Sequence, residues 1–314
     1  IERAGHLLPQ LNARRLFTYM NVTEGLKQIL WGFFKKVAVA EVCGRIVDPI
    51  FENYQDMSSL VLVLGAFFFA IQIYCDFSGY SDIAIGVSRM FGIEILRNFN
   101  YPYFSRNIAE FWRRWHISLS SWFRGYMYIP MGGNREGLLT QVRNLVVVFL
   151  VTGFWHGANW TFLVWGALNA LYMLPSVLLK RNRKYLGVVA EGRALPYVTE
   201  LLQILMTFTL VMIEWVFFRA ESVEAAVGYL RLIFVDGSID LMVFAQRLGE
   251  YRDAFFVISV VFVLEWFARG RSFALENFGS SIPRVFRFLI YAILLMYIIG
   301  ELGDNVSSFI YFQF

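Results

Sequence analysis

Three histidines occur in the chain, at positions 6, 116 and 156. The last lies in VTGFWHGANW (151–160), in the middle of an apolar run. Imidazole has a reference pKa near 6.5 and is the usual side chain for taking a proton from a hydroxyl at neutral pH. His156 can therefore act as a general base, or it can be a neutral hydrogen-bonding group packed in a core. Position alone leaves both readings open. Gly153, Gly157 and Asn159 favour chemistry, because small residues admit a close approach and an amide can orient a bound group. Trp155 is placed with Asn159 in the supporting shell. A second polar intrusion is QIYCDFSGYSDIAIG (72–86), where Ser78 and Asp82 share a helix face and Asp76 and Asp82 do not. Carboxylates that do not face each other make a poor metal site, and no metal is expected. Either this is a helix end, with Asp76 and Ser78 as caps and Asp82 paired to an arginine, or Ser78 and Asp82 line a polar cavity. His6, in an arginine-containing terminal segment, is given no role. No GxSxG, P-loop or dinucleotide fingerprint supports a serine hydrolase or a nucleotide enzyme.

The elements that must position these groups are apolar. The residues are 58% hydrophobic and 17% charged, with a mean hydropathy of +0.53, which is the composition of a membrane protein. The net charge of +4 fits basic cytoplasmic loops, and no basic stripe marks a nucleic-acid surface. Cys43 and Cys75 lie in apolar runs without metal or disulfide spacing. About 20 residues cross the hydrocarbon core, and segments near 26–47, 58–75, 143–157, 159–179, 198–218, 253–268 and 285–300 are expected to do so. The first is interrupted by Lys35 and Lys36.

Loop charges alternate with this count. Residues 48–57 carry three acids and no base, as an outer loop would. Residues 97–143 and KRNRK (180–184) are rich in arginine or lysine and read as inner, and 219–252 reads as outer. In 107–125, NIAEFWRRWHISLSSWFRG, a helical period gathers Ile108, Phe111, Trp112, Trp115, Leu119, Trp122 and Phe123 on one arc. Arg113, Arg114, Ser120, Ser121 and Arg124 fall opposite, with His116 at the boundary. One amphipathic helix is expected, either in the membrane interface or packed on the protein, with His116 at the inner surface in both cases. The expected fold is an all-α polytopic membrane protein with about seven transmembrane helices plus in-plane amphipathic helices, forming a single domain over 1–314. The opening IERAGHLLPQ has neither an initiator Met nor a signal-peptide pattern, and the chain is read as starting inside a longer protein.

The run from YCDFSGYSDIAIG through RRWHISLSSWFRGYMYIPMGG, followed by GFWHGANWTFLVWG, resembles the membrane-bound O-acyltransferase (MBOAT) family, in its bacterial alginate O-acetylation branch. IERAGHLLPQL, KKVAVAE, VFFRAES and the closing FIYFQF fit the same branch. Members begin well upstream of the position of Ile1, so the chain is expected to be the C-terminal two-thirds of a longer one. The resemblance implies that His156, in WHG, is catalytic as a general base on the acceptor hydroxyl. It places the second family histidine on His116, where the donor would enter. It also implies acetyl transfer from a cytoplasmic donor, presumed to be acetyl-CoA, with no bound cofactor. Periplasmic acetyltransferase partners in the bacterial inner membrane system would then decorate an exopolysaccharide. Asp82, Ser78, Asn159, Trp155, Arg113 and Arg114 are the expected substrate-binding or supporting residues. Related branches act on peptidoglycan or pass D-alanine toward teichoic acid. From other classes, a transporter using intramembrane His, Asp and Glu41, or a scaffold for partners, would not cleave a thioester in a His156-dependent way.

Overall fold

A computed structural model describes residues 1–15, 17–278 and 282–302; the closing FIYFQF stretch lies outside the described residues. Among these residues the regular structure is helical, with no strand. The backbone contacts group into two compact units, one of 1–44, 71–100 and the segment from 252 onward, the other of 45–70 and 101–251.

In the first unit a short α1 (Ala4–Asn12) precedes α2 (Tyr19–Phe33). Thr18 caps α2, its hydroxyl accepting from the Asn21 amide at 3.1 Å. The helix then widens into a π-helical stretch, Phe34–Ala40, and continues as α3 (Glu41–Glu52). Helix α4 (Ser59–Met90) is 32 residues long and runs against α2 through glycines spaced by one heptad. A Cβ on Gly32 would lie 2.6 Å from the Gly79 carbonyl oxygen, and one on Gly25 would lie 2.7 Å from that of Gly86. The clash is reciprocal, so both helices need glycine for their backbones to touch, as small residues do between membrane helices. Helices α12 (Arg252–Phe267) and α13 (Arg284–Glu301) complete the unit; Tyr297 of α13 packs its ring on Phe34 and Phe256.

In the second unit α5 (Ile108–Arg114) and α6 (Ile117–Phe123) are followed by a π-helical turn, Arg124–Tyr128. Helices α7 (Leu138–His156) and α8 (Trp160–Leu178) form a tight hairpin. Gly153 faces the Phe162 carbonyl, and a Cβ on Gly166 would stand 2.5 Å from that of Phe149. Helix α9 (Val198–Arg219) packs on α8, and α10 (Val223–Arg231) and α11 (Leu241–Glu250) follow.

Four of the described helices are long and apolar enough to cross a membrane: α4, α7, α8 and α9. The other three expected segments are helical too. Helix α12 has 16 residues, and α13 carries Arg284, Arg287 and Glu301 at its ends. Two local expectations are overturned. Helix α4 does not stop near residue 75, so Asp76 and Ser78 sit inside it rather than capping an end. The 107–125 segment is not one helix. It breaks at Trp115–His116, where His116 takes a left-handed conformation, φ 42° and ψ 55°.

Candidate active site

The turn carrying His156 is built by the α7–α8 hairpin. The side-chain oxygen of Asn159 caps α8 by accepting from the Thr161 amide at 3.1 Å, and its Nδ2 donates to the Glu221 carbonyl at 3.1 Å. This fixes the chain direction just after His156. The imidazole is walled by aromatic rings: Trp155 at 5.0 Å, Phe218 at 5.1 Å, Trp165 at 5.2 Å and Phe162 at 6.4 Å between centroids. All but Phe162 meet it edge to face, which suits the positive ring edges. Behind them Trp165 stacks on Trp215, and Trp215 meets Trp115 at 5.0 Å.

His116 comes to this same end of α7. Its ring lies 6.5 Å from that of Trp155, so Trp155 touches both histidines. The contact sets His116 beside the turn that carries His156. The 101–123 segment folds into the helical unit instead of lying along it: Tyr103 donates to the Ala70 carbonyl at 2.6 Å and packs on Phe208, halfway along α9. The left-handed residue at 116 then turns the chain so that Trp115 points to the aromatic core and His116 to Trp155. His116 is buried, 6% exposed. Burial, with a smaller contribution from the neighbouring His156, pushes its imidazole down to about 3. His116 is therefore neutral at physiological pH and offers one donor and one acceptor.

Arg113 and Arg114 do not form a solvated face. Arg114 is buried against Glu110 at 2.8 Å and donates to the Gly187 carbonyl at 3.0 Å. Arg113 donates to the carbonyls of Asn182 at 2.5 Å and Tyr185 at 2.7 Å. Both tie the basic 180–187 loop to α5, so this segment packs on protein along both of its faces.

Asp82 and Ser78 belong to the first unit and sit in an ionic cluster that sequence reasoning missed. Lys35 Nζ reaches Asp82 at 2.7 Å, Ser78 Oγ at 2.9 Å and Glu265 at 3.7 Å. Gln28 donates to Asp82 at 2.9 Å and Tyr74 to Glu265 at 2.7 Å. Asp82 is thus paired with a lysine, not with an arginine. Lys36 pairs separately with Asp76 and, at 4.0 Å, with Glu41. The signal was present in the π-helical stretch, which turns Lys35 inward, but no spacing in the sequence announces a π-helix. No cluster of three His, Cys, Asp or Glu suited to a metal occurs among the described residues, and Cys43 and Cys75 are buried.

Fold and site together define an all-helical membrane protein that holds two histidines around one tryptophan beside an aromatic core. The chain belongs to the MBOAT, membrane-bound O-acyltransferase family, whose profile matches residues 8–218. The resemblance read from the 74–166 block is thereby borne out. The chain is 42% identical over 220 residues to the probable alginate O-acetylase AlgI of Azotobacter vinelandii, covering 70% of this chain and 42% of that one. It is 36% identical over 248 residues to the peptidoglycan O-acetyltransferase of Helicobacter pylori, covering 78% and 45%. It is 28% identical over 221 residues to the teichoic acid D-alanyltransferase of Streptococcus thermophilus, covering 62% and 51%. The chain spans about half the length of the curated relatives it matches, or somewhat less.

Proposed function

We propose that the protein is a multi-pass O-acyltransferase of the bacterial inner membrane that moves an acetyl group from a cytoplasmic donor, acetyl-CoA, toward periplasmic acetyltransferases that modify an exopolysaccharide such as alginate. The observation that carries the reading is the seat of His156: it ends a membrane helix, is walled by Trp165 and Phe218, and shares Trp155 with a second, neutral histidine. Greater identity to O-acetylating relatives than to the D-alanyl one supports acetyl as the group moved.

The donor thioester is already activated, so the residues here need only orient the acceptor and move its proton. His156 takes the proton from the acceptor hydroxyl as its oxygen bonds to the thioester carbonyl carbon. The carbon–sulfur bond then breaks, and the departing thiolate recovers the proton from the imidazolium. General-base help of this kind contributes about 10²–10⁴-fold, roughly 3–5 kcal/mol. His116 acts on the donor side as a neutral hydrogen-bonding partner. The test follows labelled acetyl-CoA in vesicles bearing the full-length protein and its periplasmic partner. His156→Ala should lower transfer by at least about 100-fold at equal folded protein. Equal transfer by both proteins would remove His156 from the chemistry, and preference for a D-alanyl carrier over acetyl-CoA would reassign the acyl group.

A further inference from the structure

A cavity of about 350 Å³ opens in the first unit where α4 ends, within the range of small-molecule sites. Three isoleucines, Ile85, Ile93 and Ile95, give it an apolar wall, and Arg89 and Arg97 bring two guanidinium groups. Arg97 is anchored by donating to the Arg271 carbonyl at 3.1 Å, and Arg89 lies 5.6 Å from the Phe273 ring centroid. Gln28 lines the same cavity and is 2% exposed. Its Nε2 is committed to Asp82 at 2.9 Å, while its buried Oε1 meets no hydrogen-bond donor. A buried acceptor left unmatched is unfavourable, so a hydrogen-bond donor that reaches it from the cavity is favoured.

The ligand must present an anionic group to two arginines, a hydrogen-bond donor to Gln28 and apolar surface to the isoleucines. A bare inorganic anion satisfies only the first requirement, and Glu94, on the same wall, repels it. Helix α4, with 32 residues, is about 48 Å long and outlasts a ~30 Å hydrocarbon core. Its end therefore reaches headgroup depth, on the side that the arginine-rich 97–143 segment marks as inner. We propose that this cavity is a binding site for a phosphate ester bearing an adjacent ammonium or hydroxyl group, presented as the headgroup of an inner-leaflet phospholipid. The site does not depend on the role given to His156.

The test uses the full-length protein, delipidated in detergent and offered equimolar phosphatidylethanolamine, phosphatidylglycerol and phosphatidylcholine. Bound lipid is read by native mass spectrometry. Ethanolamine or glycerol headgroups should be retained at least tenfold over choline, which has no donor for Gln28. Arg89→Gln and Ile93→Trp should each cut retention at least tenfold, the first by removing charge and the second by filling the cavity. Inorganic phosphate should not compete. Displacement of the lipid by soluble glycerophosphoethanolamine at similar concentration keeps the chemistry but assigns a soluble source. Equal retention of choline lipid, or wild-type retention by both variants, overturns the site.

Discussion

His116 combines two features that rarely meet in one residue: a left-handed backbone and a buried imidazole. Histidine is among the few non-glycine residues enriched in that region, and asparagine tolerates it also. A β-branched side chain does not. His116→Asn should therefore fold, while His116→Val should lose about 1–2 kcal/mol more, read as a lower thermal midpoint in detergent. The buried ring adds a pH dependence. Folded His116 stays neutral down to about pH 3, whereas in the unfolded chain it takes up a proton below about 6.5. Between those values the unfolded state binds more protons, so stability falls as pH falls, by about 1.4 kcal/mol per unit for this one group. Comparing midpoints at pH 7.5 and 5.5, His116→Asn should show a shallower loss than wild type. An identical slope would mean that His116 is solvated or charged in the folded protein. The sequence made His116 and His156 legible as the groups to watch, since only three histidines exist. It did not reveal that they share Trp155, because a left-handed residue leaves no mark in a helical period.

At the scale of helices, the α2–α4 contact is written as glycines a heptad apart, 25 and 32 against 79 and 86, and could have been read from the sequence. Gly32→Val or Gly79→Val should force the backbones apart and cost at least about 1–3 kcal/mol, the usual range for overpacking. Gly5→Ala, where nothing lies within 4 Å, is the matched control. The ionic cluster set between the same helices was not legible. Lys35 appears in the sequence only as an interruption of an apolar run, and its partners lie 47 and 230 positions away, at Asp82 and Glu265. Lys35→Met strands the buried Glu265 carboxylate and the part-buried Asp82, for which a loss of about 3–5 kcal/mol is expected. Adding Asp82→Asn to Lys35→Met should recover part of that loss, because one of the stranded charges is then gone. A double variant no more stable than Lys35→Met alone would show that Lys35 answers chiefly to Glu265.

For the molecule as a whole, the charge pattern of the loops and the four apolar helices make one joint statement about sidedness. Between Gln55 and Arg183 the chain runs along three of the four helices long and apolar enough to cross a membrane, α4, α7 and α8, and the fourth, α9, follows before Ile239. The 101–123 segment adds no crossing, since it enters beside Ala70 and Phe208 and comes back to α7. Within the second unit Asp48 pairs with Arg219 at 2.8 Å, the Tyr54 and Tyr229 rings lie 6.0 Å apart, and Ser59 donates to the Leu232 carbonyl at 2.8 Å. The 48–57 and 219–239 stretches therefore share one end, as the acidic character of the first predicts. Cysteine labelling tests this directly, because Cys43 and Cys75 are fully buried and stay silent. Gln55→Cys and Ile239→Cys should react with an impermeant maleimide on intact spheroplasts. Arg183→Cys, in the basic loop held by Arg113, should react only after permeabilisation. Labelling of Arg183→Cys from outside would mean that one of these helices does not cross.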